Sequence, residues 1–81
     1  MQINLKKKII KEHIKWVKNL KKENINIVSG YLVDKYKQAG GGGILFIECD
    51  SYKNAENILV NDPMIKNNLV NWELHEWINI L

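Results

Sequence analysis

The chain has 81 residues, a formal net charge of +3 and a single cysteine. This length predicts one domain over residues 1–81, near the size at which one core barely suffices without disulfides, metals or oligomerisation. One cysteine excludes an intrachain disulfide and a cysteine-based zinc cluster, which fits a reducing, cytoplasmic setting. The apolar runs are too short to span a bilayer, and no signal-peptide core follows the basic start, so we expect no membrane partner.

Charge is distributed unevenly along the sequence. Residues 1–22 carry eight lysines against one acid, whereas residues 23–81 carry four lysines against eight acids. There is no arginine, which is the side chain best suited to bidentate contacts with phosphate and guanine. We therefore expect no nucleic-acid partner and interpret the lysines as a solvated helix face, with an anionic-ligand or membrane-surface patch as the alternative.

The first predicted element is a helix over residues 6–23. Apolar and aromatic side chains recur there at three- and four-residue spacing, which places them on one inward stripe, and lysines occupy the complementary positions. A histidine on such a stripe is more often structural than catalytic, so it needs a second group beside it to become a candidate. The stripe contains Ile9, Ile10, His13, Trp16, Val17 and Leu20.

A strand and a long loop are predicted next. Residues 25–29 have the β-branched content and partial alternation of a strand that ends at Gly30. Residues 31–43 are predicted to form a loop that finishes in four glycines. The glycines lead into a strand and are followed by no Lys-Ser/Thr pair, so they do not match a phosphate-binding loop. We interpret them as the hinge of the loop that carries Asp34.

The stretch 40–50, four glycines and the run that follows them, is the one around which the fold is organised. An unbroken apolar run from Ile44 to Ile47 lacks the alternation of a half-exposed strand, which predicts a strand with apolar surroundings on both faces. Helices of the same chain can cover one face, and a second copy is the expected cover for the other. The sequence therefore predicts a homodimer formed through the sheet face.

Two short helices are predicted after this strand. Asp50 or Ser51 is a suitable N-cap for the first helix, which ends near Val60. Asp62 as N-cap and Pro63 at the first helical position predict a second helix of about one turn. Asp62 and Pro63 are thus explained as a helix start and are not assigned to a functional site.

The last predicted strand runs from Val70 toward Trp77, where apolar and polar side chains alternate. The order is then that of the ferredoxin-like β-α-β-β-α-β unit, an α+β fold, with its first β-strand short or missing. The missing strand leaves a slot between the central and last strands, each with an unpaired edge. Three segments are candidates to fill this slot: residues 1–5, a segment of another chain, and residues upstream of Met1.

An ordered set of motifs spans about residues 9–81. It comprises the helix segment 12–17, the strand end 29–34, the glycine-led strand 43–51, the helix at 55–56, the turn 61–63 and the late segment 77–81. With this set the chain resembles the YCII-related family, small dimeric proteins similar in fold to muconolactone isomerases and chloromuconolactone dehalogenase. The resemblance implies a dimeric α/β barrel with sheet packed on sheet.

The resemblance also implies a functional histidine and aspartate near the top of the sheet, which fall on His13 and Asp34. If the second strand returns alongside the first helix, its end brings Asp34 to the helix face. The carboxylate could then bond one imidazole nitrogen and raise the basicity of the other. Such a pair could move a proton on a small organic acid or lactone, in lyase, isomerase or dehalogenase chemistry, and no cofactor is implied.

Other polar residues give weaker signals. Ser29 is a candidate substrate-binding hydrogen-bond donor in the same pocket, with a simple turn residue as the alternative. His75 is predicted to lie on an exposed side, and two histidines without an adjacent acid cluster do not predict a metal site. Cys49 is interpreted as a buried apolar residue. The alternative function is a non-catalytic dimeric binding or assembly module. A filled core would favour this module, whereas a cavity containing His13 with Asp34 at hydrogen-bond distance would favour the enzyme.

Overall fold

The computed structural model describes residues 3–81, with side chains from Leu5 onward. It is an α+β protein built on a two-stranded antiparallel sheet and three helices among these residues. This architecture is consistent with a small ferredoxin-like fold and confirms the predicted fold class. In chain order the elements are α1 (Ile3–Lys22), β1 (Ile27–Val33), β2 (Ala39–Ile47), α2 (Tyr52–Leu59) and α3 (Pro63–Lys66).

Helix α1 buries one stripe and leaves its lysines in solvent. Ile9 and Val17 are 3% and 8% exposed, and His13 lies between them on the same face because residues four apart are neighbours on a helix. Lys21 and Lys22 fall in the last turn, where positive charge complements the helix dipole. No helix within residues 3–81 is long and apolar enough to cross a bilayer.

Strands β1 and β2 pair with a register that sets Ile27 opposite Ile47 and Gly30 opposite Ile44. Because successive side chains of a strand point to opposite sides, the sheet has two distinct faces. The covered face, on the side of α1, carries Ile27, Ser29, Leu45 and Ile47, and the outer face carries Val28, Ile44 and Phe46.

The two faces differ in burial. On the covered face Ile27 is 3% exposed, whereas Val28, Ile44 and Phe46 on the outer face are 63%, 49% and 48% exposed. The ring of Trp77 approaches the outer face, with its centroid 5.1 Å from that of Phe46. Within one chain, apolar surroundings are therefore supplied to one face of the sheet, and the other remains largely open.

The prediction of a loop over residues 31–43 is wrong, because both strands extend into this range and the glycine run lies inside β2. Gly40 and Gly42 have φ of +147° and +88°, a conformation that residues with a side chain rarely adopt. A Cβ on Gly43 would lie 2.8 Å from the carbonyl oxygen of Gly30. The glycines therefore let two strands approach closely and are not a hinge.

The last predicted strand is also wrong, since no described residue after Ile47 belongs to a strand. Residues 71–81 run without helix or strand. In the ferredoxin-like arrangement the last strand pairs with the first, so without a first strand it has no ladder partner. Residues 3–5 belong to α1 and do not fill the slot, and the remaining part of that predicted segment, Met1 and Gln2, lies outside the described residues.

The predicted starts of the two short helices are confirmed. Ser51 caps α2 by accepting the backbone N–H of Asn54 at 3.1 Å. Asp62 caps α3 by accepting the N–H of Met64 at 2.9 Å, and Pro63 follows as the first helical residue. Helix α3 packs against α1, which brings its N-terminal cap to the buried stripe.

Candidate functional site

The candidate site is centred on His13, midway along the buried stripe of α1. His13 is 9% exposed. Its ring lies 5.9 Å from that of Trp16, tilted by 37°. Both ring nitrogens are within hydrogen-bond distance of other side chains, so the imidazole is held from two sides.

The first partner of the imidazole is Asp62, whose Oδ1 lies 2.8 Å from Nδ1 of His13. Asp62 is 5% exposed, and the same oxygen accepts the N–H of Met64 as the cap of α3. An ionised carboxylate can only accept hydrogen bonds, so Nδ1 carries the proton and donates it to Asp62. The cap of a short helix thereby fixes the tautomer of a histidine on another helix.

The second partner is Ser29, whose Oγ lies 3.0 Å from Nε2 of His13. With the proton of the neutral ring on Nδ1, Nε2 is an acceptor and the hydroxyl of Ser29 donates to it. Ser29 is exposed although its side chain lies on the covered face. The result is a hydrogen-bonded chain, Asp62–His13–Ser29, that begins at a buried carboxylate and ends at the hydroxyl of an exposed residue.

The structure does not join Asp34 to the imidazole. Oδ1 of Asp34 accepts the backbone N–H groups of Tyr36 at 2.8 Å and Gln38 at 3.0 Å, in the turn between β1 and β2. Both ring nitrogens of His13 are occupied by other groups. The hydrogen bond predicted between Asp34 and His13 is therefore made by Asp62 instead, and a catalytic role for Asp34 stays a prediction.

Sequence reasoning missed Asp62 as a site residue because capping alone accounts for an aspartate before proline. A carboxylate has lone pairs for several donors, so capping α3 and bonding a histidine are compatible roles. The available signal is that Met64 and Ile65, which follow the cap, are apolar, so a helix that packs them inward brings its cap toward the core. In contrast, His13 and Ser29 were identified from the sequence, and the structure brings them together.

The remaining candidates lie apart from this chain of hydrogen bonds. His75 is exposed, and its Nε2 lies 3.2 Å from Oε2 of Glu73. Burial raises the pKa of the Cys49 thiol, and the negative charge of Asp50 raises it further, which disfavours a reactive thiolate. Within residues 3–81, no three side chains among His, Cys, Asp and Glu are grouped as metal ligands.

Fold and site together define a small α+β protein in which a buried His–Asp pair orients one ring nitrogen toward the hydroxyl of an exposed serine. The family model of the YCII-related domain matches residues 2–78. The chain therefore belongs to the YCII-related family, which confirms the resemblance seen in the sequence. Comparisons with curated proteins and with solved structures found no match.

Proposed function

We propose that this YCII-related protein is a small acid–base enzyme, of the lyase, isomerase or dehalogenase type, acting on a small organic acid or lactone. The observation that supports this most is the Asp62–His13–Ser29 chain. One ring nitrogen is fixed by a carboxylate, and the other is directed at the accessible end of the site. A histidine held in this way presents one basic nitrogen to an approaching substrate.

In the proposed reaction, Nε2 of His13 takes a proton from the carbon next to the carbonyl group of the substrate. Asp62 stabilises the imidazolium that forms, through the 2.8 Å bond to Nδ1. The resulting enolate can lose a leaving group from the neighbouring carbon or be reprotonated elsewhere, which correspond to the elimination and isomerisation outcomes. General acid–base catalysis of this kind contributes about 10²–10⁴-fold to a rate.

Ser29 is proposed to bind substrate by donating its hydroxyl to a carboxylate or carbonyl oxygen. Nε2 of His13 then loses its hydrogen bond to Ser29 and can accept the proton of the substrate. The role of Asp34 is proposed to be indirect. Its carboxylate accepts two backbone N–H groups, and this shapes the turn that joins the strands. A direct catalytic role for Asp34 would require it to leave these donors.

A homodimer is also proposed, in which the outer faces of two copies pack to give a dimeric α/β barrel. Its support is the exposed apolar surface of Val28, Ile44 and Phe46. A contiguous apolar patch of this kind on a monomer commonly marks an interface. The single cysteine supports the further proposal of a reducing, cytoplasmic location.

The test of the proton-transfer function is deuterium exchange. The protein is incubated in D₂O with a panel of small carboxylic acids and unsaturated lactones, and proton NMR follows the loss of the signal next to the carbonyl. We expect His13→Gln and Asp62→Asn to slow exchange by about 10²-fold or more. Exchange in His13→Gln at the rate of the parent protein would contradict the function.

Matched controls use the exposed counterparts of these residues. His75→Gln changes the other histidine of the chain, and Asp50→Asn changes an exposed aspartate. Both are expected to exchange substrate within about twofold of the parent protein, as is usual for surface substitutions. Asp34→Asn tests the remaining prediction, because a loss equal to that of Asp62→Asn would assign Asp34 a direct role.

The alternative function is a non-catalytic dimeric binding or assembly module. It is favoured by the complete hydrogen bonding of His13, since a satisfied buried histidine can be purely structural. In that case His13→Gln would alter stability and leave assembly and ligand binding unchanged in the folded fraction. Substitutions on the outer face would instead abolish dimerisation or partner binding.

A further inference from the structure

Neither a turn nor strand pairing accounts for the hydroxyl of Ser29. It lies inside β1, where it faces Leu45 of β2, so it is not a turn residue. The backbone of a strand is paired through N–H and C=O groups, and the ladder needs no side-chain hydroxyl. Its Oγ nevertheless lies 3.0 Å from the accepting nitrogen of a histidine that Asp62 orients.

We propose that Ser29 is a nucleophile and that the protein hydrolyses small esters or lactones through an acyl intermediate on Ser29. This inference rests on the proposed function, because it uses His13 as the same base through the same Nε2. It adds a covalent step and names a substrate class, carboxylic esters, in which the attacked atom is the carbonyl carbon.

The geometry matches what an activated serine requires. A nucleophile and its base must lie within about 2.6–3.2 Å, with the base oriented by a third group. Here Ser29 Oγ lies 3.0 Å from Nε2, and Asp62 Oδ1 lies 2.8 Å from Nδ1. Exposure increases from Asp62 to Ser29: Asp62 and His13 are 5% and 9% exposed, and Ser29 is an exposed residue. A substrate can therefore reach the hydroxyl while water is largely kept from the pair behind it.

The backbone of Ser29 supplies a donor for the developing oxyanion. The N–H of Glu48 donates to the carbonyl of Asn26 at 2.9 Å, which fixes the phase of the antiparallel ladder. Hydrogen-bonded and non-hydrogen-bonded pairs alternate, so the pair of Ser29 with Leu45 is non-hydrogen-bonded and the Ser29 N–H points away from β2. That edge of β1 has no partner strand in the described part of the chain. A free N–H beside the nucleophile can stabilise negative charge on the carbonyl oxygen.

The reaction balances with water as the co-reactant. Oγ of Ser29 bonds to the carbonyl carbon of the ester, and its proton passes to Nε2 of His13. The ester C–O bond then breaks, and the proton on Nε2 passes to the leaving alkoxide oxygen. Water next attacks the acyl carbon, gives one proton to Nε2, and displaces Ser29 Oγ, which takes that proton back. A lactone is thereby converted to its hydroxy acid with no oxidant or reductant.

The test combines an alkyl fluorophosphonate with p-nitrophenyl acetate on the full chain. We expect a pre-steady-state burst of one p-nitrophenol per chain and a covalent adduct on Ser29 located by peptide mass spectrometry. Ser51 is the only other serine in the sequence, and its Oγ accepts a backbone N–H as a helix cap, so it is an internal control. Labelling of Ser29 should exceed that of Ser51 by about 10²-fold, and His13→Gln should remove this excess.

Equal labelling of the two serines, or labelling of Ser29 that does not depend on His13, would overturn the proposal that Ser29 is a nucleophile. Ser29→Ala separates this failure from failure of the proposed function, and the exposed position of Ser29 favours a folded variant. Because Ser29 is also proposed to bind substrate, Ser29→Ala is expected to slow deuterium exchange. Loss of the burst with exchange that still exceeds that of His13→Gln supports both ideas. Retained ester hydrolysis in Ser29→Ala overturns only the proposal that Ser29 is a nucleophile. A burst and an exchange rate in His13→Gln equal to those of the parent protein overturn both this proposal and the proposed function.

Discussion

The two faces of the β1–β2 sheet are formed by the same strands, but one face is covered and the other is exposed. On the covered face, Ile27 is 3% exposed and Ser29 donates to a histidine whose other nitrogen is also bonded. On the outer face, Val28 and Phe46 are 63% and 48% exposed. One chain therefore completes the Asp62–His13–Ser29 chain of hydrogen bonds by itself, and the apolar side chains on the opposite side of the sheet stay exposed.

We therefore expect the covered face to determine the stability of each chain and the outer face to determine self-association. Substitutions on the covered face should change the free energy of unfolding of each chain, because the contacts lie within the chain. Substitutions on the outer face should change association and leave the site intact.

The largest effect is expected for Asp62→Ala, at about 4 kcal/mol of unfolding free energy. The substitution leaves the buried Nδ1–H of His13 and the N–H of Met64 without their acceptor, and it removes the cap of α3. Urea denaturation followed by circular dichroism measures the change.

The matched control is Asp50→Ala, which removes an exposed aspartate and should cost less than about 0.5 kcal/mol. Asp62→Asn keeps an acceptor oxygen and should fall between the two. Equal midpoints for Asp62→Ala and Asp50→Ala would show that the buried pair does not hold the covered face together.

The next largest effect is expected for Ile27→Ala, at about 3 kcal/mol. Ile27 is 3% exposed, so truncation leaves a cavity beneath α1 as well as losing apolar burial. Ile80→Ala is the control, since Ile80 is 87% exposed and should cost less than about 0.5 kcal/mol. Thermal unfolding of both variants measures the difference, and a cost below 1 kcal/mol for Ile27→Ala would mean that the covered face is loosely packed.

Features set by neighbouring residues could be predicted from the sequence. The stripe of α1 follows from the spacing of its apolar residues, and the caps Ser51 and Asp62 follow from the residues after them. His13 and Ser29 were identified as candidates on local grounds and on family resemblance. The helix stripe and the two caps depend only on residues that are close in sequence.

Features set by packing between distant residues could not be predicted. His13 and Asp62 are 49 positions apart, and they meet only because α3 packs on α1. The family resemblance pointed to Asp34 as the partner carboxylate, but Asp34 accepts the N–H groups of its own turn. The strand predicted toward Trp77 failed for a similar reason, because a ladder requires a partner strand that local alternation cannot guarantee.

On the outer face, Phe46→Asp is expected to weaken self-association by at least about tenfold, because a carboxylate would be buried in an apolar interface. Sedimentation velocity over a range of concentrations measures this. Lys18→Asp, on the exposed side of α1, should leave association unchanged. A parent protein that stays monomeric at high concentration would contradict the homodimer. Loss of deuterium exchange in Phe46→Asp would contradict the independence of the site.

The smallest effect concerns Cys49, which continues the alternation of the covered face just beyond β2 and is half-buried. Burial raises the pKa of its thiol, and Asp50 raises it further. Because the thiolate is the reactive form, alkylation by iodoacetamide at pH 8 should be slower than in the urea-unfolded chain, and its rise with pH should be displaced upward. Asp50→Asn removes the smaller cause and should increase the rate only a few-fold. If Asp50→Asn alone restored the unfolded rate, charge would outweigh burial at Cys49, and the covered face would end at Ile47.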